Sequence, residues 1–242
     1  MNPYYQQDGI TIYNADCRDV LVPGWLVADM VFTDPPYGVQ YDGGHCLSGR
    51  AREMLYDDDT NVYAWLMPLL RNHCNGPAYI WFAGIRCKEF FNALDGWDIH
   101  SLLIWNKTNG TNTAMFAHYK ERKEHMLYCK PTGTTLRWCG PTNECTVWDM
   151  PRDASNEWHP TQKPVHLAAR AIRNHTSRTV LDPFCGAGST LVAARMLGRA
   201  AIGIEIDEGY CEKAAQRLQQ TVLDIAPAAR LMEQSELWKA AP

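Results

Sequence analysis

Apolar and polar positions follow two rhythms along this chain. Alternating or wholly apolar runs rich in β-branched and aromatic residues predict strands, and apolar residues three and four apart predict helices. Ile10-Thr11-Ile12-Tyr13-Asn14-Ala15 alternates and reads as a strand closed by Asp16, with a helical turn over Cys17–Leu21. The runs Val27–Phe32, Pro77–Phe82, Ile99–Trp105, Glu124–Cys129, Arg178–Leu181 and Ala200–Ile204 predict further strands. Residues 61–75 put Val62, Trp65, Leu66, Leu69 and Leu70 on one helical face, with Pro68 in the middle. Shorter helices are expected over Ile85–Leu94, over Val165–His175 with Pro164 as first helical residue, and over Ser189–Leu197 closed by Gly198. A longer amphipathic helix is expected over Asp207–Leu223. Strands alternating with helices imply a mostly parallel sheet covered on both faces. Residues 38–60 and 130–158 show no period, and composition shifts at Asn106, so 106–158 reads as a segment inserted into the sheet protein.

The 242 residues suffice for one sizeable core, with 46% hydrophobic and 21% charged residues. No apolar run reaches the length of a membrane span, and the N-terminal residues are polar without a signal-peptide core, so a cytoplasmic location is expected. Nine scattered cysteines without a C-x-x-C pair point to free thiols in a reducing compartment. Cys139 and Cys145 with His118 and His125 match no common zinc spacing, and no metal is expected. The net charge of −4 gives no global basic signal, so any nucleic-acid contact must come from a local patch.

Two stretches carry chemistry. In Thr33-Asp34-Pro35-Pro36-Tyr37-Gly38 the consecutive prolines lack N–H groups and stiffen the chain leaving a buried strand. Pro35 keeps Asp34 out of helical geometry, which holds a carboxylate at a strand end beside an aromatic ring. Val180-Leu181-Asp182-Pro183-Phe184-Cys185-Gly186-Ala187-Gly188-Ser189-Thr190-Leu191 reads as strand, glycine turn and helix, where backbone can approach a ligand. Leu191 stands where a dinucleotide fingerprint needs its third glycine, and no ATP-type P-loop is present. Glu205 ends the next strand at a separation that suits an acid accepting ribose hydroxyls.

The glycine loop resembles the S-adenosylmethionine loop of the amino-group DNA methyltransferases. Asp34-Pro35-Pro36-Tyr37 resembles their catalytic tetrapeptide, and His159-Pro160-Thr161-Gln162-Lys163-Pro164 resembles the segment preceding the cofactor loop in one subgroup. The order of tetrapeptide, insertion and cofactor loop is similar to that of the permuted β class, in an adenine-N6, phage-like or orphan form. The resemblance implies a Rossmann-like methyltransferase fold with a catalytic core over 1–105 and 159–225, an inserted target-recognition segment over 106–158 and a tail over 226–242. It implies S-adenosylmethionine as cofactor and double-stranded DNA as partner. Dimerisation is common in the class, although the sequence shows no interface for a homodimer.

The resemblance makes Asp34, Pro35, Pro36 and Tyr37 catalytic. It assigns the cofactor to Asp16, Cys17, Asp34, Thr161, Gln162, Lys163, Asp182, Pro183, Phe184, Cys185, Gly186, Gly188, Ser189, Thr190, Glu205 and Ile206. Arg50, Arg52, Lys107, Lys120, Arg122, Lys123 and Arg137 are the candidates for DNA contact, among aromatic residues and nearly as many acids. Cytosine-C5 chemistry is disfavoured because the chain has no Pro-Cys pair. Cytosine-N4 enzymes more often carry Ser where this chain has Asp34. RNA and protein-glutamine methyltransferases usually carry Asn-Pro-Pro-Tyr after the cofactor loop. Adenine N6 in a flipped base is therefore the expected target.

Overall fold

The structure is a computed structural model that describes residues 2–22, 24–37, 62–109, 121–152 and 163–220. A nine-stranded sheet forms its centre. In chain order the strands are β1 (Tyr5–Gln7), β2 (Ile10–Asn14), β3 (Met30–Thr33), β4 (Ala78–Phe82), β5 (Trp97–Lys107), β6 (Lys123–Pro131), β7 (Val147–Met150), β8 (Thr179–Asp182) and β9 (Ala200–Glu205). Across the sheet they lie in the order β1-β2-β9-β8-β3-β4-β6-β5-β7. The pairings make β2, β9, β8, β3 and β4 parallel. β6 is antiparallel to β4 and to β5, and β1 is antiparallel to β2. The sheet is thus mixed and mostly parallel, as the alternation of strands and helices predicts.

The helices are α1 (Cys17–Leu21), α2 (Val62–His73), α3 (Cys87–Asn92), α4 (Val165–Arg173), α5 (Ser189–Met196) and α6 over 208–220. They divide between two cores. Val20, Leu21, Leu66, Leu70 and Phe90 of the first three pack with Val31, Ile80 and Leu127 on one face. Leu167, Ile172, Leu191, Ala194, Ala214 and Leu218 of the others pack with Met30, Trp81 and Met126 on the opposite face. From β3 the chain runs through α2 to β4, and from β8 through α5 to β9, in opposite directions along the sheet. Right-handed crossovers in opposite directions place their helices on opposite faces. The point where they diverge, between the carboxyl ends of β3 and β8, is where an open α/β sheet forms a ligand crevice.

Several expectations are corrected. β3 lies later than Val27–Phe32: Val27 is exposed, Ala28 makes an isolated bridge to Cys74, and pairing with β4 and β8 begins at Met30 and Val31. Pro164 is the residue before α4 rather than its first, with ψ at 134°. The region over 130–158 contains β7, whose Trp148 is buried and whose strand pairs with β5. The boundary drawn at 105/106 falls inside β5, and β6 supplies core residues Met126, Leu127 and Cys129. Within the segment read as an insertion, β6 lies between β4 and β5, and β7 adds the outermost strand beside β5. Among the described residues no helix is long and apolar enough to cross a membrane.

Candidate active site

The parallel strands bring a row of acids to one edge. Asp16 follows β2, Glu205 ends β9, Asp182 ends β8 and Asp34 follows β3, in that spatial order. β6 runs the other way, so its first residues, Lys123 and Glu124, reach the same edge beside the end of β5 at Lys107. Residues separated by most of the chain length thus meet in one crevice.

The glycine loop is fixed from several sides. Cys185 N–H donates to the Ile204 carbonyl at 3.0 Å, and Gly188 N–H donates to the Cys185 carbonyl at 2.8 Å. Gly188 has φ of +80°, and a Cβ there would lie 2.9 Å from the Ala214 Cβ, so α6 presses directly on the turn. Arg217 of α6 donates to the Ala187 carbonyl at 2.7 Å and to Ser189 Oγ at 3.3 Å. Gly186 differs: its φ is +48°, yet a Cβ built on it meets nothing within 4 Å. The loop is supported behind and open in front, which is the cradle a ligand needs.

Glu205 closes this cradle. Its two carboxylate oxygens accept the Gly186 N–H and the Asp207 N–H, each at 2.9 Å, and burial raises its pKa. Lone pairs left on the carboxylate can accept the paired hydroxyls of a ribose. Asp182 is buried, and burial pushes its carboxyl up to about 7 against the pull of hydrogen bonds from Thr190, Thr33 and the Phe184 N–H. Thr33 Oγ1 donates to Asp182 Oδ1 at 2.8 Å, tying the ends of β3 and β8 together. Cys17 and Cys185 are buried, and burial raises both thiols, that of Cys17 to about 12. Asp16 caps α1 through the Arg18 N–H at 2.8 Å and pairs with the Arg18 guanidinium, while Ala15 N–H donates to the Glu205 carbonyl at 3.0 Å. Pro183 is buried, Phe184 packs against the α2-side core, Thr190 is buried in α5 and Ile206 is half-exposed. These residues all stand on the loop or on the carboxyl edge beside it, and they fit a ligand that joins a charged amino-acid end to a nucleoside.

Asp34 stands at the open end of β3. Tyr37 donates its hydroxyl to Asp34 Oδ1 at 2.5 Å, and Lys163 donates to Asp34 Oδ2. Burial, then the Asp34 charge, raises the Tyr37 phenol, so it stays a donor. Glu124 joins this group: its Oε2 lies 3.0 Å from Lys163 Nζ and its Oε1 lies 2.5 Å from Lys107 Nζ. Burial works to raise the Glu124 pKa, but the two ammonium groups outweigh it and hold the group at about 2. The Lys163 ammonium also faces the Tyr37 and Trp81 rings, 5.8 and 5.1 Å from their centroids.

Glu124 and Trp81 were legible only as strand residues. Nothing in the alternation of 124–129 says at which edge an antiparallel strand begins. Lys107, a DNA candidate by sequence, is engaged with Glu124. Arg122 and Lys123 are exposed at the edge that carries Asp34. Arg137 is not: it pairs with Asp29, which precedes β3, at 3.4 Å, and so lies at the opposite edge of the sheet from Asp34. Arg50, Arg52, Lys120, Thr161, Gln162 and His118 lie outside the described residues, as do the loop over 38–60 and the tail over 226–242.

Comparison with known proteins agrees with this arrangement. A family model described as DNA methylase matches residues 28–216. The Type II methyltransferase M.HinfI of Haemophilus influenzae is 29% identical over 247 residues, which covers 87% of this chain and 68% of that protein. The crystal structure of an M1.HpyAVI–SAM complex superimposes with a TM-score of 0.69 at 25% identity, covering 86% of this chain and 98% of the other. The cytosine-N4-specific PvuII DNA methyltransferase shares the fold, with a TM-score of 0.70 at 15% identity and coverage of 93% and 94%. The chain belongs to the DNA methylase family of N6 and N4 amino methyltransferases.

Proposed function

We propose that this DNA methylase transfers a methyl group to the exocyclic N6 of an adenine turned out of a specific double-stranded DNA sequence. S-adenosylmethionine is the methyl donor and supplies an electrophilic methyl group on a sulfonium. Asp182, the Gly186–Gly188 turn and Glu205 hold its amino-acid end and ribose, with Asp16, Cys17 and Ile206 beside its base. The supporting observation is the position of Asp34, a carboxylate at the switch point of the sheet, one strand away from the cofactor loop.

The N6 amine of adenine is a weak nucleophile because its lone pair is delocalised into the ring. Asp34 accepts one of its N–H bonds and the Pro35 carbonyl accepts the other. Two acceptors so placed favour a tetrahedral nitrogen whose lone pair faces the methyl group. After transfer the nitrogen carries a positive charge and a surplus proton, and Asp34 stabilises the first and receives the second. Fixed groups aimed at developing charge lower the barrier without reorganising. The base must leave the duplex to reach this crevice, and the Tyr37 ring offers it a stacking surface. A carboxylate at the first position of the tetrapeptide, rather than a hydroxyl, favours adenine N6 over cytosine N4.

Mass spectrometry of nucleosides from DNA of a host expressing the protein tests the reading. N6-methyladenine is expected, and sequencing of modified positions gives the site. N4-methylcytosine would overturn the choice of base, and unmodified DNA the function. Asp34→Ala is expected to lower the methylation rate by about 100-fold or more, with cofactor affinity by calorimetry nearly unchanged.

A further inference from the structure

Both oxygens of Asp34 are already engaged. Oδ1 accepts the Tyr37 hydroxyl and Oδ2 accepts the Lys163 ammonium. The ammonium has a second carboxylate within reach, since Glu124 Oε2 is 3.0 Å away. Glu124 is itself held by Lys107 at 2.5 Å, and the two lysines keep it ionised. The four charges cancel in pairs. An incoming sulfonium adds a fifth charge, positive, to a crevice already occupied by a cation.

We propose that Glu124 is a positioning residue that draws Lys163 off Asp34 when cofactor and target amine enter. This rests on the reading of Asp34 as acceptor of the target amine. With Tyr37 on Oδ1 and Lys163 on Oδ2, a target N–H has to compete for oxygens that already accept hydrogen bonds. The ammonium also repels the sulfonium at close range in a partly dry site. Once Lys163 turns to Glu124, Asp34 faces the sulfonium and the amine as an unopposed anion. Lysine suits this exchange, being a point charge on a flexible stem rather than a fixed fork. The Trp81 and Tyr37 rings keep the ammonium favourably placed while it moves, as cations are attracted to ring faces.

Glu124→Gln keeps the shape and removes the charge, leaving Asp34 as the carboxylate that holds Lys163. The expected result is a kcat lowered tenfold or more together with a raised KM for S-adenosylmethionine, because the ammonium left on Asp34 opposes the sulfonium. Because Glu124 acts through Lys163, adding Glu124→Gln to Lys163→Met should lower kcat no further. A Glu124→Gln enzyme with parental kcat, or a full additional loss in the Lys163→Met background, would overturn the proposal. A structure of the parent with sinefungin, whose ammonium stands in for the sulfonium, and a duplex carrying the unmethylated site decides independently of how any variant folds. It should show the Lys163 ammonium on Glu124 and off Asp34, and an ammonium still bonded to Asp34 beside the seated amine would refute the exchange. An Asp34→Ala enzyme with undiminished activity would instead remove the acceptor reading itself, whatever Glu124 does.

Discussion

Asp182 is an acid that folding makes reluctant to ionise. Its pKa moves from the ordinary 3.8 to about 7 because it is buried. If it meets the ammonium of the cofactor's amino-acid end, the carboxylate form is the binding form. Affinity for S-adenosylmethionine should then rise with pH up to about 7 and level off above it, and isothermal calorimetry across pH 5–8 measures this. For stability the sign is reversed: the unfolded chain loses this proton near 3.8 while the folded chain keeps it to about 7. Between those values the folded state therefore loses up to about 1.4 kcal/mol per pH unit from this group. The two loop glycines separate ligand space from packing in a similar way. Gly186→Ala places a methyl group in open space at a φ that costs about 1 kcal/mol for a residue with a side chain. It should leave the fold largely intact and weaken cofactor binding tenfold or more. Gly188→Ala collides with Ala214 and should also lower the melting temperature.

At the scale of elements, β7 is the short strand whose periodicity is too brief to see and which is anchored by one buried side chain, Trp148. Trp148 is 2% exposed, donates its indole N–H to the Cys145 carbonyl at 2.9 Å and lies under the Arg170 guanidinium of α4 at 4.8 Å. It joins the outermost strand to a helix of the cofactor-side layer. Trp148→Ala should cost about 3–5 kcal/mol, the usual range for emptying a large aromatic site, measured by urea unfolding. A loss within a few tenths of a kcal/mol would mean that β7 is not anchored as described. His175 supports the same region, with Nδ1 2.6 Å from the Leu136 carbonyl and Nε2 3.0 Å from the Tyr79 hydroxyl.

For the whole molecule, the sheet separates two edges with different chemistry. Asp16, Glu205, Asp182, Asp34 and Glu124 gather at one, and Arg137 with Asp29 at the other. On the proposed reading of Asp34 as acceptor of the target amine, DNA approaches the first edge. Charge removal at Arg122 and Lys123 should weaken DNA binding and reduce its salt slope by about one for each phosphate no longer neutralised. Arg137→Ala should leave both unchanged in a filter-binding or anisotropy titration. A comparable weakening at Arg137 would show that DNA wraps beyond the edge that carries Asp34.

The sequence by itself determined the parts whose signal is local. Paired prolines after a strand stiffen the chain around Asp34, and glycines between strand and helix make a loop around Gly186 and Gly188, wherever these pieces lie in space. Their order along the chain and the apolar periods were enough for a mostly parallel sheet with helices on both faces. Tertiary structure alone decided which distant residues share an edge. Asp34 meets Asp182 through Thr33 because β3 and β8 are neighbours, and Glu124 reaches the crevice because β6 runs antiparallel. Strand direction and neighbour choice depend on pairing over long sequence separations. A local period records neither, so the sequence alone does not bring Glu124 beside Asp34 or put Arg137 at the other edge of the sheet.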